Sequence, residues 1–321
     1  MIVAQDGSGD FLSLQAALNS LSKENTTPIH IFIRPGIYKE KIHIEIPFLT
    51  LIGENPETTI LTYDDYALKT FPNGTTYGTF NSYSFFVGTH DFTAYNLTIQ
   101  NTAGPGKKVG QALAVYADGD RIHFKNCRLL ANQDTLFLGP LPPAPIEAGS
   151  FRGPREQAPR INGRHYYESC FIRGDIDFIF GSATAFFKDC EIFSNNLHQE
   201  INGYITAAST PEAQKYGFIF ETCNLTSNCP KASVYLGRPW RHYAKTVFID
   251  CQMGDHIIKE GWHDWDKTDS HSTTFFGEIG TRTSAPIQRV SWSHSLCASD
   301  KSSFSREAVL KGTDNWQPWL T

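Results

Sequence analysis

No run of about eighteen apolar residues occurs in the 321-residue chain, so no membrane-crossing helix is expected. A secretory leader is also missing: Met1-Ile2-Val3-Ala4-Gln5-Asp6 runs directly into Gly7-Ser8-Gly9-Asp10, without a charged start or an apolar core. The chain is therefore expected to be cytoplasmic if Met1 is the native start, and exported if a leader once preceded it. Positive charge is scarce, with 28 Lys and Arg against 33 Asp and Glu and a net charge of -5. That excludes a basic stripe for a nucleic-acid backbone, and leaves local arginines to hold any acidic substrate. No C-x-x-C or H-E-x-x-H spacing supports a metal site, and no cofactor motif is present. A G-x-S-x-G elbow is absent, and Ser8 between Gly7 and Gly9 lacks the strand-to-helix setting that a serine nucleophile needs. Phosphate-cradling loops, G-x-x-x-x-G-K-[ST] or G-x-G-x-x-G after a strand, are missing too, so nucleotide chemistry is unsupported.

What is present suits an all-β protein. A hydrophobic fraction of 40% against 19% charged residues is enough to build a core. The length fits one elongated domain spanning 1–321. Five of the seven cysteines share the frame aromatic-x-x-Cys: Phe124 to Cys127, Tyr167 to Cys170, Phe187 to Cys190, Phe220 to Cys223 and Phe248 to Cys251. Buried thiols behave as small hydrophobes, so this frame reads as a stacked ladder of free thiols. The frames are spaced by 43, 20, 33 and 28 residues, each within a short β-rich run, and the related run Phe92–Ile99 lies upstream. Short strands at such intervals with variable insertions point to a right-handed parallel β-helix. A β-sandwich is the alternative, but the tight Asn-Gly and Asp-Gly turns that join its strands are few. The segment Ser13–Leu21 places Leu14, Ala17, Leu18 and Leu21 on one helical face, as expected of an N-terminal helix capping the open end of the solenoid. A solenoid covered at its ends is expected to be monomeric. Proline crowds Gly139–Pro145 and recurs at Pro154 and Pro159, so about 139–160 reads as a loop inserted between coils.

Carboxylates are the remaining candidates for chemistry. Asp134 stands in Gln133-Asp134-Thr135-Leu136, and Asp177 precedes Phe178-Ile179-Phe180-Gly181. An aspartate among such apolar neighbours is costly to desolvate without a partner, which marks a functional candidate. The residues alone leave open that each is a turn former or a buried acceptor.

Five segments, in order along the chain, resemble the pectin methylesterases, carbohydrate esterase family eight. They are Gly36-Ile37-Tyr38-Lys39-Glu40, Gln111-Ala112-Leu113-Ala114-Val115, Gln133-Asp134-Thr135-Leu136, Asp177-Phe178-Ile179-Phe180-Gly181 and Leu236-Gly237-Arg238-Pro239-Trp240. The opening Asp6–Phe11 is similar to that family's first strand and turn. The resemblance implies an esterase acting on methyl-esterified pectin or oligogalacturonides. In it Asp177 is the nucleophile, Asp134 the acid and then the base, and Arg238 the partner that keeps Asp177 ionised. Gln133, supported by Gln111, is implied as the oxyanion donor. Sugar rings stack on aromatic platforms, a need that Trp240 fits. Trp262 resembles another tryptophan of the family's groove, while Trp265 and Trp292 are expected to be packing residues. Phe180 and Tyr116 adjoin matched motifs and are expected in the subsites, with core packing as the competing reading. Thr79 completes the expected substrate-binding set.

Two departures stand out. Asp134 and Asp177 are 43 positions apart, longer than is usual in that family, and the excess is the Pro-rich loop. Beginning just after the Asp134 motif, the loop is expected to wall off one end of the cleft and to favour short methylated oligogalacturonides. Phe137 also stands where a tyrosine is often found. Polygalacturonases and pectate lyases use a similar architecture, and a catalytically silent glycan-binding solenoid is possible on the same fold. Paired glycosidase carboxylates and clustered calcium ligands are not evident, and the retained Gln111, Gln133, Asp134, Asp177 and Arg238 favour the esterase.

Overall fold

The computed structural model describes residues 1–320. Its strands stack into three sheets of 11, 7 and 9 strands. Neighbouring strands run parallel from coil to coil, so the chain winds as a right-handed parallel β-helix rather than a sandwich of hairpins. The 11-stranded sheet runs from Ile2–Val3 to His294–Ser295. The 7-stranded sheet, which carries the candidate site, runs from Ile42–Ile44 to Val234–Gly237.

The aromatic-x-x-Cys frame has a local cause. In each copy the residue before the cysteine adopts a left-handed backbone: Asn126 (φ 52°), Ser169 (52°), Asp189 (53°), Thr222 (52°) and Asp250 (51°). That conformation turns the chain from one sheet to the next; Asn and Asp tolerate it better than most, while the β-branched Thr222 is held in it against its own preference. Inside each corner only a small side chain fits. The five thiols are free and buried, and each donates weakly to a carbonyl of the preceding coil, as Cys170 Sγ does to Phe124 O at 3.4 Å and Cys223 Sγ to Phe187 O at 3.5 Å. The aromatic member of each frame faces inward and stacks on its neighbour. Phe124, Tyr167, Phe187, Phe220 and Phe248 form one column with ring centroids 5.4, 4.7, 4.4 and 4.6 Å apart.

At the N-terminal end the helix Leu14–Asn19 buries Leu14, Ala17 and Leu18 against the first coils, as its apolar face requires. Ser13 caps it by accepting from Ala16 N, and the Glu40 carboxylate accepts from Leu14 N at 3.0 Å and Gln15 N at 2.8 Å. Thus Glu40 tethers the cap to the stack. At the other end the helix Arg306–Leu310 does not cover the last coil. It lies along the flank of the 11-stranded sheet, burying Val309 and Leu310 beside Tyr166, Phe186 and Ile219. Arg164 secures this segment by donating to both Asp120 and Asp314.

Between Leu138 and Arg164 there is neither strand nor helix. Arg160 organises this stretch, donating to the carbonyls of Pro142, Arg155, Glu156 and Ala158 at 2.6–3.2 Å. The chain then re-enters the stack in register.

In native protein a thiol reagent is expected to modify the exposed Cys297 first, and the five corner thiols only after denaturation. Cys190→Leu, which overfills a corner, is expected to lower stability by about 1–3 kcal/mol in a denaturant titration. Fast labelling of all five in the native state would contradict the corner assignment.

Candidate active site

Register places the two aspartates together. Leu136 pairs with Ile179, so Asp134 and Asp177, each two residues earlier, lie on adjacent coils at equal height. Adjacent strands stand about 4.8 Å apart, which sets the scale of their separation. Both occupy the left-handed region, Asp134 at φ 62° and Asp177 at φ 50°. Asp177 also falls in a β-bulge: Ile176 pairs with Tyr204 and Ile179 with Thr206, three steps against two. A bulge re-aims the side chain beside it, here toward the open face of the 7-stranded sheet. Both residues are almost fully withdrawn from solvent, at 8% and 7% exposure.

Arg238 arrives from two coils further along. Its Nε donates to Asp177 Oδ1 at 2.8 Å and its Nη2 to Oδ2 at 2.7 Å, a two-point fork. The guanidinium lies between the rings of Tyr204, at 3.8 Å, and Trp265, at 3.6 Å, which fix its plane. Behind it, Lys267 Nζ donates to the carbonyls of Pro239 at 2.7 Å and Trp240 at 3.2 Å. Burial, helped by the charges of Arg238 and Arg241, pulls the Lys267 ammonium down to about 8.

The two carboxyls are driven apart electrostatically. Burial raises Asp134 well above the ordinary carboxylate range, and the charge of Asp177 raises it further. Burial also raises Asp177, but there the Arg238 hydrogen bonds and charge oppose it. One proton shared between the pair therefore resides on Asp134, and the negative charge on Asp177.

A cleft of about 340 Å³ opens over the pair. Gln111 and Gln133 line it, as does Thr79. The amide groups of both glutamines make no side-chain hydrogen bond among the described residues, so their N–H donors are free for a bound group. Trp240 and Phe180 form part of an aromatic shelf with ring centroids 5.7 Å apart.

Two expected subsite residues lie elsewhere. Trp262 is 1% exposed and continues the interior column, stacked on Phe276 at 4.4 Å. Its pairing with Gly237 turns it inward. Trp265, expected to pack, lines the cleft instead and covers Arg238. Tyr116 is fully buried beneath the shelf, with Phe137 at 4.8 Å and Phe86 at 5.1 Å, and so supports the cleft without facing it. Trp292 packs as expected, stacked on His271.

Sequence reasoning missed Phe80, Phe151 and Arg241, which also line the cleft. Phe151 belongs to the Pro-rich insertion and packs against Phe80 at 5.8 Å and Trp240 at 6.2 Å. Ile146, Glu147 and Ser150 of the same segment face the cleft. Asn81 Nδ2 donates to Arg152 O at 3.1 Å, and Arg241 Nη2 to Ala144 O at 2.7 Å, which anchors the insertion on both sides.

Removing the guanidinium in Arg238→Gln withdraws the largest of the influences that favour the ionised form of Asp177, leaving only the more distant charge of Lys267. The Asp177 midpoint is therefore expected to rise by about 1 pH unit or more. Carboxyl-carbon NMR of the folded variant tests this, and an unmoved midpoint would show that some other group sets the Asp177 charge.

The pectinesterase family profile matches residues 1–139 and 157–313, leaving out most of the insertion. Pectinesterase 31 of Arabidopsis thaliana is 33% identical over 99% of this chain and 94% of its own length. Pectinesterase QRT1 of the same plant is 30% identical over 98% of this chain and 78% of its own. Among solved structures, pectin methylesterase from carrot superposes with a TM-score of 0.81 at 26% identity, covering 98% of this chain and 93% of that one. A pectin methylesterase solved in complex with a hexasaccharide gives 0.80 at 26% identity, covering 99% and 97%. The aspartate pair, its arginine and the coils that bring them together are thus found in a chain that belongs to the pectinesterase family.

Proposed function

We propose that this chain hydrolyses the C6 methyl esters of pectin or oligogalacturonides, through an acyl-enzyme intermediate on Asp177. The observation that carries this route is the two-point fork of Arg238 on Asp177, beside a buried Asp134 on the adjacent coil. A carboxylate so held is charged, fixed in orientation and stripped of water, which suits a nucleophile. Asp177 attacks the ester carbonyl carbon, and the carbonyl electrons move onto oxygen. The free amides of Gln133 and Gln111 are the donors on hand for that oxyanion. As the intermediate collapses, the C–O bond to the methoxy group breaks and Asp134 supplies the proton that makes methanol. Asp134, now a carboxylate, takes a proton from water as the water attacks the acyl carbon. The acyl carbon parts from Asp177 as galacturonic acid, which gives its remaining proton to solvent and leaves as the carboxylate, and both aspartates return to their starting states. Trp240, with Phe180 and Phe80 beside it, offers the aromatic surface on which sugar rings stack, while Trp265 is occupied by Arg238.

Asparagine accepts a left-handed backbone as aspartate does, so Asp177→Asn and Asp134→Asn are expected to fold. Asp177→Asn should release no measurable methanol, and Asp134→Asn should lose about 10²-fold or more in kcat. Methanol release by the wild type without new reducing ends or unsaturated products separates an esterase from a glycosidase or a lyase. Near-normal rates in either variant would overturn the roles of nucleophile and acid.

The insertion narrows the choice of substrate. Ile146, Glu147, Ser150 and Phe151 stand over the aromatic shelf, which supports a cleft walled by the loop and fitted to short chains. Replacing residues 143–160 with a short glycine-serine link is expected to raise the rate on long pectin relative to short oligomers. An unchanged length preference would dispose of this role.

A further inference from the structure

Lys267 lies behind the cleft rather than on its wall, yet it touches both working parts of the site. Its two carbonyl acceptors, Pro239 O at 2.7 Å and Trp240 O at 3.2 Å, belong to a turn that begins just after Arg238 and ends on the shelf residue Trp240. The same Nζ lies 4.2 Å from the ring centre of Trp265, the ring that covers the Arg238 guanidinium. The backbone is set for this reach: Trp265 and Asp266 both take the left-handed conformation, at φ 56° and 57°, and Lys267 N donates to Asp264 O at 3.1 Å. Lys267 is half-buried and forms no ion pair among the described residues. The cations that face it are Arg238 and Arg241, which flank the turn it holds. The anions are Asp177, already paired with Arg238, and Asp269, paired with His242, while the Asp264 carboxylate is taken by His271. A charge kept in such a place rests on the two carbonyls and the ring it meets.

Resting on the esterase reading above, we propose that Lys267 is a positioning residue of the reaction, whose ammonium holds Arg238 to the nucleophile and Trp240 to the sugar at the same time. The protonated amine offers three N–H donors backed by a full charge, and both carbonyl bonds draw on it. The neutral amine has fewer and weaker donors and loses its attraction for the Trp265 ring. Burial first, and then the charges of Arg238 and Arg241, bring this change down to about 8. The grip on the turn is therefore complete below that pH and is lost as pH rises through it. The fork and the shelf then lose their common support together, and a misplacement of about 1 Å in such a site costs on the order of 10²-fold in rate. Asp134 also gives up its proton on the alkaline side, so activity there answers to two separate groups.

The test is methanol release from a methyl-esterified oligogalacturonide across the neutral and alkaline range, for wild type, Lys267→Met and Lys267→Arg, each checked for folding by circular dichroism. Wild-type kcat/KM is expected to fall through a step near 8. Lys267→Met should lack that step and lower kcat/KM about tenfold or more at neutral pH, as expected for loss of hydrogen bonds from a charged group. Its kcat should fall and its KM rise together, because one ammonium serves both the fork and the shelf; a variant that had only lost folded protein would show a lower kcat at unchanged KM. Lys267→Arg, whose guanidinium stays charged, should recover part of the activity and move the step upward by about 1 pH unit or more. A step unmoved in Lys267→Arg would assign the alkaline limb to Asp134 and overturn this inference, as would wild-type kcat and KM in Lys267→Met; either result leaves the esterase reading intact. No methanol from wild type at any pH would overturn both.

Discussion

One ion pair orders the candidate site. The fork between Arg238 and Asp177 holds a negative charge in a place where water would otherwise have to hold it, and the neighbouring groups respond to that charge. Asp134 keeps its proton because burial and a charged neighbour both disfavour a second carboxylate. Tyr204 and Trp265 are spent on the guanidinium plane, and Lys267 braces the Pro239–Trp240 turn that delivers the arginine. Without the fork, burial would push Asp177 toward its protonated form with only the charge of Lys267 to oppose it, and the difference between the two aspartates would shrink.

The solenoid makes this pair possible by simple addition of coils. Asp134 and Asp177 share a height because their strands pair in register, and Arg238 comes from a strand further along the same sheet. Two departures from regular strand geometry finish the arrangement: the bulge at Asp177 and the left-handed backbone at both aspartates. Each is a local cost that the surrounding ladder of parallel strands can hold in place.

Much of this was legible in the sequence, and for identifiable reasons. The aromatic-x-x-Cys frame reports a steric requirement repeated at every corner, so it shows as spacing. The amphipathic run at Ser13–Leu21 had one apolar face and one place to put it, and the helix observed within it is Leu14–Asn19. Asp134, Asp177, Arg238 and the two glutamines lay in motifs and came together in one cleft. Trp262 and Trp265 exchanged places because, three residues apart in Gly261–Trp265, they carry the same chemistry. Only the pairing of Trp262 with Gly237 decides which one faces inward. Tyr116 was misplaced for a related reason: in a strand buried on both faces, alternation does not distinguish a cleft floor from the layer beneath it. Phe151 left no local signal, since it reaches the cleft through contacts of an irregular loop, whereas Arg241 follows directly on the Leu236–Trp240 motif and its place could have been read from it.

The insertion leaves the stack after Leu138 and returns at Arg164, yet Leu136 still faces Ile179 as though nothing intervened. A coil of this fold therefore behaves like a hem from which cloth of any length can hang. Material added between Asp134 and Asp177 changes what the enzyme encloses without disturbing how its acids are spaced. Selection on substrate shape and selection on reactivity act on separate stretches of the same turn, so each is free to vary while the other stands still.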